Sequence, residues 1–445
     1  MGLILVSMLQ EPGHFNPTFK LCRALQGRGH EVRYFSVPDF EQYLAGQGFA
    51  CVPMFPELFP KGYTTAQDRL GRLQARRTIT TQFEQVTRRL LAGEGPRAEL
   101  ERLSPGLVIV DINDVLTALC ARQLGIPVVT INVTLPQTKD GAVPPLRSAA
   151  PYDASLRGRA RAELSWRAFL AKRRAQAALA SVVGLCPPYE LARRAAARFG
   201  VANSELDLDT VYMPRLRRTH ELVLCPQDFD FPRPPDPERH YVESIDLDRK
   251  EPAFPFERLA ADKPLIYCAM GSQRYRPRQV AQLVRCVVQA LALRPHWQAL
   301  IALGRNLTPE QLGALPANVI AVPTVPQLAV LKRARVMITH GGLGSVKECI
   351  VHGVPMLVFP MAVDQPGNAA RVAHHGLGLH GDLSRVNVPD LLASLERLLN
   401  DGIGEHVRAM KARFERVEGA THGADVVEQV LARAASAGAG PQGTP

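Results

Sequence analysis

Several common signatures are missing from this sequence of 445 residues. Its eight cysteines are spread singly, without CxxC pairs or histidines at zinc spacing, so neither a disulfide framework nor a zinc site is expected. Apolar runs of the length that spans a membrane are absent. The apolar N-terminal run lacks a basic segment and is broken by Pro12 and Gly13, which favours a buried strand over a signal peptide. Unpaired cysteines in apolar runs fit a cytoplasmic protein.

The composition is that of a globular protein, with 46% hydrophobic and 21% charged residues. Lysine and arginine outnumber aspartate and glutamate by 53 to 42, a net charge of +11, which favours an anionic partner. No nucleic-acid-binding module is recognisable, and the basic residues lack ordered aromatic stacking positions. A phosphorylated small molecule or an anionic lipid surface therefore fits better than nucleic acid.

Short apolar strands alternate with helices in two separate stretches of the chain. In the first stretch, strands are predicted at 3–9, 30–37, 107–111 and 127–132. Helices are predicted from an Asn16-Pro17 cap to about Arg28 and near 115–124. Residues 226–256 are rich in proline and charge and are predicted to be an interdomain linker. The alternation then restarts at 264 and ends in a helical stretch over about 404–435. This order predicts an α/β protein with two doubly wound, Rossmann-like domains.

The predicted domain boundaries follow from these changes in composition and in the alternation of strands and helices. We expect an N-terminal domain at 1–225, the linker at 226–256, a C-terminal domain at 257–420, a helix at 421–435 that packs back toward the N-domain, and a disordered tail at 436–445.

The most informative run is 336–368, in which an apolar strand ends at His340. Gly341, Gly342 and Gly344 form the following turn, and Ser345 is predicted to open a helix. Backbone N–H groups and the dipole at a helix start attract phosphate. A dinucleotide-binding GxGxxG with a later acid is absent, which argues against a nicotinamide enzyme.

Three polar residues close to this turn could contact a sugar nucleotide. Glu348 can accept hydrogen bonds from a ribose diol, or it is simply an acid near a helix N-terminus. Asp364 and Gln365 follow the apolar strand at 356–360, and they either bind vicinal sugar hydroxyls or are solvated loop residues.

The run THGGLGSVKECIVHGVPMLVFPMAVDQPGNA resembles the donor signature of family 1 glycosyltransferases. The resemblance extends to VPTVPQLAVL at 322–331 and to the N-terminal GHFNP and DINDV segments. It implies the GT-B fold, in which two Rossmann-like domains face each other across a cleft. The donor would bind mainly to the second domain and the acceptor mainly to the first.

The resemblance also implies roles for individual residues. His340 and Ser345, with the backbone of Gly342 and Gly344, would hold the diphosphate; Glu348 would hold the ribose; and Asp364 and Gln365 would hold the transferred sugar. Gln327 and the backbone of Val325 would frame the base, and Ser272 would face the donor. Thr324 stands where the family commonly has a tryptophan that stacks on uracil. The expected donor is a UDP-sugar, and a TDP-sugar is the alternative.

His14 is predicted to be the catalytic base because an acceptor hydroxyl needs a group that titrates near neutral pH. Asp111 ends the strand 107–111 and would hold the imidazole in one tautomer. The alternative is that Asp111 caps the helix that starts near Val115. His340 and the helix dipole would neutralise the departing diphosphate, and no metal is implied.

The segment 155–184 carries many basic residues among alanines and leucines. It is either a solvated basic face over an apolar stripe, a wall of the acceptor pocket or a peripheral contact with anionic lipid. The residues expected to line the acceptor site are Gly13, Phe15, Asn132, Trp166 and Phe169.

The sequence thus predicts an inverting transferase that moves a hexose, glucose from UDP-glucose, to a hydroxyl of a small hydrophobic natural product such as a polyketide, macrolide or aromatic compound. One alternative is a membrane-surface transferase with a lipid or carotenoid acceptor. Another is a non-catalytic protein or an epimerase that binds a sugar nucleotide. The sequence does not predict an oligomeric state.

Overall fold

The computed structural model describes residues 2–67, 72–182, 184–271, 276–305 and 307–438. Within these ranges the chain forms two α/β domains, one around a seven-stranded sheet and one around a six-stranded sheet. All strand pairs of both sheets are parallel. The sequence-predicted fold class is therefore confirmed.

The strands of the first domain are β1 (Leu3–Ser7), β2 (Glu31–Ser36), β3 (Ala50–Pro53), β4 (Leu107–Asp111), β5 (Val128–Asn132), the short antiparallel pair β6 (Leu206–Asp207) and β7 (Arg215–Leu216), β8 (His220–Val223) and β9 (Arg239–Tyr241). Its helices are α1 (Pro12–Phe15), α2 (Phe19–Gly27), α3 (Pro38–Gly46), α4 (Tyr63–Gln67), α5 (Arg72–Leu91), α6 (Pro96–Leu103), α7 (Val115–Gln123), α8 (Leu156–Val182) and α9 (Pro188–Arg198).

The strands of the second domain are β10 (Leu265–Ala269), β11 (Gln298–Ala302), β12 (Val319–Val322), β13 (Ala334–Thr339), β14 (Met356–Val358) and β15 (Gly378–His380). The helices that follow the linker are α10 (Pro277–Ala292), α11 (Gln327–Leu331), α12 (Leu343–His352), α13 (Gln365–His374), α14 (Val388–Asn400), α15 (Ile403–Glu418) and α16 (His422–Gly438).

Central strands of both sheets are buried along their whole length because helices cover both faces, and their residues are mostly apolar. All five residues of β4 and all five of β10 are buried, as expected for parallel sheets of this class. On α10 the buried residues recur at helical spacing, so that one side of the helix packs on the sheet: Val280, Leu283, Val284, Val287 and Leu291.

Each sheet has one point at which the strand order reverses. The orders are β3-β2-β1-β4-β5-β8-β9 and β12-β11-β10-β13-β14-β15, so the reversals lie between β1 and β4 and between β10 and β13. Ligands of doubly wound sheets bind beyond the carboxyl ends of strands at such a point. His14 and Asp111 lie at the first reversal, and His340 lies at the second.

The structure corrects several sequence-predicted boundaries. The helical segment after β1 starts at Pro12 instead of Asn16, so His14 lies in a helical turn and not in a loop. The helix predicted to open at Ser345 begins two residues earlier. The predicted final helical stretch is two helices, α15 and α16, and α16 extends into the predicted tail as far as Gly438. Residues 439–445 lie outside the described part of the chain.

The predicted linker is more structured than its composition suggests. It contributes β9, which pairs with β8 at the edge of the first sheet, and it buries Asp230 completely. The carboxylate of Asp230 accepts hydrogen bonds from Arg371 of α13 at 2.6 and 2.8 Å and from Arg233 at 2.7 Å. Proline and charge are typical of a linker, but Asp230 and Arg233 of this stretch form a buried ionic network with Arg371, which joins the two domains.

Two further contacts join the C-terminal part of the chain to the first domain. Arg28, directly after α2, donates to Asp425 and Glu428 of α16 at 2.6 and 2.7 Å. Val426 and Val427 are buried in the same apolar cluster as Leu21 and Leu25 of α2. Within the described residues, no helix is both long and apolar enough to cross a membrane.

We expect Asp230→Asn to destabilise the protein because it leaves two buried guanidinium groups without their shared charge. Burial alone would raise the pKa of Asp230, but Arg233 and Arg371 hold it well below its ordinary value. Breaking a buried pair in this way typically costs about 3–5 kcal/mol. Urea unfolding of the variant measures the change. Asp228→Asn, at an exposed neighbour with only a 3.9 Å contact to Arg413, is the matched control, and equal stability of the two variants would contradict the prediction.

Candidate active site

One cavity of about 1130 Å³ contains most of the sequence-predicted site residues. Its wall includes residues from both reversal points: His14 from the first domain and His340, Gly342, Gly344, Ser345 and Glu348 from the second. Asp364, Gln365, Gln327, Val325 and Thr324 also line it. Ser272 lies outside the described residues. The structure therefore brings the predicted base and the predicted donor site to one space.

The His14 side chain is paired with Asp111, as the sequence predicts. His14 Nδ1 lies 2.5 Å from Asp111 Oδ2, and the Asp111 side chain is fully buried. The other Asp111 oxygen accepts the backbone and side-chain N–H groups of Asn113 at 2.8 and 2.9 Å. With Nδ1 bound to a carboxylate, the imidazole keeps its proton there and exposes Nε2 as the basic atom.

The residue that caps α7 is Asp114, and not Asp111 as in the alternative interpretation. Asp114 is the residue before α7, and its carboxylate accepts the backbone N–H of Thr117 at 3.3 Å. Ser7 donates to the other Asp114 oxygen at 2.5 Å. Asp111 is consequently free to bind His14.

The electrostatic surroundings of His14 favour its protonated form. Burial lowers the pKa of His14, but the Asp111 charge and hydrogen bond, with smaller contributions from Glu11 and Asp364, raise it above its ordinary value of 6.5 overall. The Asp364 contribution is the smallest of these, and both His14 and Asp364 line the same cavity.

The glycine turn at 341–344 leads into α12. The residue before the helix is Gly342, which offers no side-chain cap, but the Asp364 carboxylate accepts the backbone N–H of Leu343, the first residue of the helix. An anion at this helix start would therefore bind the N–H groups that follow Leu343. A Cβ atom on Gly342 would lie 2.6 Å from His340 Nε2, so only glycine fits beside that ring.

The surroundings of His340 favour its neutral form, which argues against the expectation that its charge would balance a diphosphate. Burial lowers its pKa to about 4, and Nδ1 has no hydrogen-bond partner among the described residues. A neutral imidazole can still donate one N–H, whereas the positive end of the α12 dipole supplies the electrostatic attraction.

The loop before α13 is held in a strained shape by Gln365. Its Oε1 accepts the backbone N–H groups of Met361 and Ala362 at 2.7 and 3.0 Å, and Val363 adopts a φ of 57°. A β-branched residue rarely adopts a positive φ, and such strain concentrates at functional sites. The Gln365 NH₂ group has no partner within the described residues, and Asp364 accepts from Asn368 at 2.8 Å.

The carboxylate of Glu348 is bound from both sides. Gln327 Nε2 lies 2.5 Å from its Oε2, and Arg249 Nη1 donates to its Oε1. Arg249 comes from the predicted linker and was not identified from the sequence, because nothing in a proline-rich, charged stretch marks one cation as a site residue. The alternative of a simple dipole-compensating acid does not explain these two specific partners.

The predicted acceptor residues divide into two groups. Gly13 and Phe169 line the cavity. The other three are buried elsewhere: Phe15 packs on Tyr34 and Phe40, Asn132 bonds to Glu221 at 2.8 Å, and Trp166 donates to the Val143 carbonyl at 2.9 Å. The Trp166 ring lies in the core because it belongs to the buried side of α8. Further residues of the cavity wall in the first domain include Val133, Arg147, Lys172, Arg173, Tyr189, Tyr212 and Met213.

Comparison with known proteins gives a consistent result. Residues 102–411 match the sequence profile of the family described as UDP-glucoronosyl and UDP-glucosyl transferase. Oleandomycin glycosyltransferase of Streptomyces antibioticus is 27% identical over 429 residues, which cover 94% of this chain and 88% of that protein. Zeaxanthin glucosyltransferase of Pantoea ananas is 25% identical over 431 residues, covering 94% and 93%.

Solved structures share the fold over nearly the whole chain. The glycosyltransferase of kitacinnamycin superposes with a TM-score of 0.71 at 24% identity, covering 97% of this chain and 99% of that one. The glycosyltransferase VinC, solved in complex with DTDP, has a TM-score of 0.64 at 21% identity, covering 98% and 100%. These likenesses show the GT-B fold.

We expect the pKa of His14 to lie above 6.5 and to fall in Asp111→Asn, because burial then acts without the opposing carboxylate. Titration of the histidine ring signals by NMR measures both values, with His14→Gln to assign the signal. His340, whose pKa is about 4, serves as the internal reference. An unchanged His14 midpoint in Asp111→Asn would show that the carboxylate does not control the base.

Proposed function

The chain belongs to the UDP-glucoronosyl and UDP-glucosyl transferase family and is a glycosyltransferase, and from that premise we propose that it moves a hexose from a nucleotide sugar to a hydroxyl group of a hydrophobic natural product. The observation that carries the proposal is that one cavity is lined both by His14, which is paired with the buried Asp111, and by the glycine turn before α12. A base and a leaving-group site in one space are the two requirements of a direct displacement.

The reaction is a single displacement at the anomeric carbon of the sugar. His14 Nε2 removes the proton of the acceptor hydroxyl as that oxygen forms its bond to the anomeric carbon. The bond from this carbon to the diphosphate breaks at the same time, and the diphosphate leaves with its electron pair. Attack from the face opposite the leaving group inverts the anomeric configuration. Asp111 stabilises the imidazolium ion that forms.

The donor is held by groups of the second domain. The diphosphate binds at the start of α12, where backbone N–H groups and the helix dipole stabilise the charge that develops on it. Asp364 accepts from hydroxyls of the transferred sugar, and the Gln365 NH₂ group donates to them. We favour glucose because this pair suits a sugar with its hydroxyls intact.

UDP is the preferred nucleotide of the proposal because Glu348 has two oxygens for a vicinal diol. Uridine offers both the 2′ and 3′ hydroxyls, whereas the thymidine of TDP lacks the 2′ hydroxyl. Thr324 lies exposed on the cavity wall and cannot stack on the base as an aromatic residue would. The DTDP bound to the related VinC makes TDP the competitor that an experiment must include.

The acceptor side of the cavity is lined by apolar and aromatic groups such as Val133, Phe169, Tyr189 and Met213. This lining supports a hydrophobic acceptor with a small number of polar groups. The relatives point the same way, since one is named for the macrolide oleandomycin and another for the carotenoid zeaxanthin. All eight cysteines are free thiols, which supports a cytoplasmic site of action.

We expect His14→Ala to abolish transfer while leaving nucleotide affinity nearly unchanged, because the base contacts the acceptor and not the donor. General-base catalysis typically contributes about 10²–10⁴-fold to a rate. Calorimetry with UDP, TDP, GDP and their glucose conjugates identifies the donor, and mass spectrometry of an acceptor panel then follows turnover. Full turnover by the variant would remove the base assignment, and binding of none of the nucleotides by the native protein would contradict the proposal as a whole.

The exposed side of α8 favours a second candidate, a transferase that works at a membrane surface on a lipid or carotenoid acceptor. Leu164, Leu179 and Val182 are 67%, 71% and 81% exposed. At 3.6 residues per turn, Leu164 and Val182 lie opposite the buried stripe of the helix and Leu179 lies about 60° away from them, among several arginines. Exposed apolar groups beside cations are the pattern of an interfacial helix.

We expect vesicles of anionic phospholipid to sediment the native protein, and the double variant Leu164→Ser/Leu179→Ser to lose most of that binding. Apolar insertion and charge attraction both contribute, so vesicles of neutral lipid should bind less. Leu293→Ser is the matched control because Leu293, in the second domain, is 59% exposed. Equal sedimentation of all three proteins would argue against a membrane role for α8.

A further inference from the structure

A short segment of the linker, residues 246–251, lies between the two domains at the donor end of the cavity. We name it the strap. On the first domain, Arg23 Nε donates to Asp246 at 3.1 Å, and the Gln47 side chain bonds to both the N–H and the carbonyl of Lys250 at 3.3 and 3.2 Å. The strap is therefore fixed in place by side chains of α2 and by the residue that follows α3.

On the second domain, the strap contacts the part of the site predicted to bind the nucleoside. Arg249 pairs with Glu348, and its other nitrogen lies 3.2 Å from Glu251. The three side chains are 11%, 9% and 14% exposed. An arginine this well enclosed between two acids, and lining the cavity, is not a solvated surface cation.

Glu251 completes the arrangement by capping α11. Its carboxylate accepts the backbone N–H groups of Leu328 and Ala329 at 3.0 and 3.3 Å. The first residue of α11 is Gln327, whose Nε2 holds the second oxygen of Glu348. Glu251 thus contacts both Arg249 and the helix that carries Gln327, the two residues that bind the Glu348 carboxylate.

We propose that Arg249 is a positioning residue of the donor site, which orients Glu348 so that the free lone pairs of its carboxylate receive the ribose hydroxyls. Arg249 Nη1 donates to Oε1 of Glu348 and Gln327 Nε2 donates to Oε2. Each of these oxygens can accept a further hydrogen bond. The guanidinium also offsets the charge of Glu348, which would otherwise repel a nucleoside diphosphate. The inference rests on the proposed function, since it assumes that Glu348 binds ribose.

The strap supplies this cation from outside the second domain's own sheet and helices. Because the strap is also bound to Arg23 and Gln47, the orientation of Glu348 depends on contacts with the first domain. Donor affinity is thereby linked to the arrangement of the two domains without any direct contact between the nucleotide and the first domain's sheet.

The test compares UDP with 2′-deoxy-UDP, which share base and diphosphate and differ by one ribose hydroxyl. Calorimetric Kd values are measured for the native protein, Arg249→Met, Arg249→Lys, Glu348→Gln and the double variant Arg249→Met/Glu348→Gln. Lys250→Met is the matched control because Lys250 is an exposed cation of the same strap, and its hydrogen bonds within the described part of the chain come from its backbone.

We expect Arg249→Met to raise the Kd for UDP by roughly tenfold to a hundredfold, the range of a charge-assisted hydrogen bond. The Kd for 2′-deoxy-UDP should rise clearly less. The same change in the Glu348→Gln background should have little further effect, because the two residues act through one contact. Arg249→Lys should recover part of the affinity, since it keeps the charge but not the planar fork. Lys250→Met should bind like the native protein.

An equal loss for both nucleotides in Arg249→Met would overturn the proposal, because the arginine would then act on the phosphates and not through the ribose contact. Unchanged affinity in both Arg249 variants would overturn it as well. If Arg249→Met does not fold, the same comparison is made with Arg249→Lys. Its Kd for UDP should then rise more than its Kd for 2′-deoxy-UDP, and an equal rise would overturn the proposal. Failure of the native protein to bind either nucleotide would overturn the proposed function together with this inference, whereas the other outcomes concern Arg249 alone.

Discussion

The rest of the structure depends on one topological constraint, the single reversal of strand order in each sheet. A doubly wound sheet provides one crevice, beyond the carboxyl ends of the strands that flank the reversal. Here the crevice after β1 and β4 holds the His14–Asp111 pair, and the crevice after β10 and β13 holds the glycine turn proposed to bind the diphosphate. The proposed transfer needs groups from both crevices, and both contribute to the wall of one cavity.

Buried polar contacts at the domain boundary maintain that relation. Arg371 of α13 binds Asp230, and Lys347 of α12 donates to the Leu224 carbonyl and to Ser244 at 2.5 and 2.6 Å. Both helices begin at the proposed donor site. The contacts of Arg371 and Lys347 therefore also help to position Asp364 and the start of α12. Burying charges costs free energy and adds little net stability, but unpaired alternatives cost much more, so these contacts specify one arrangement of the domains.

Sequence patterns predicted the features that are local to one strand and the turn after it. An apolar strand ending in His340-Gly-Gly, or in Asp111, places its last polar residue at the ligand-binding rim whatever surrounds it. Trp166 and Phe169 show the limit, because helical spacing does not reveal which side of α8 faces the core and which faces a cavity. Arg249 shows another limit: its proposed role depends on Glu348, 99 residues away along the chain, and no periodicity in 226–256 indicates that contact.

The position of the base is itself determined partly by the second half of the chain. The helical turn that carries His14 continues through Asn16–Thr18 into α2. Along α2, Lys20 binds Glu418 at the end of α15 at 2.8 Å, and Arg23 binds Asp246 of the strap at 3.1 Å. Glu418 in turn accepts the backbone N–H groups of Ser244 and Ile245. The element that carries His14, the proposed base, is therefore bound through Arg23 to the same strap that contacts Glu348, so that one short segment has contacts leading to both the proposed proton acceptor and the carboxylate proposed to bind ribose.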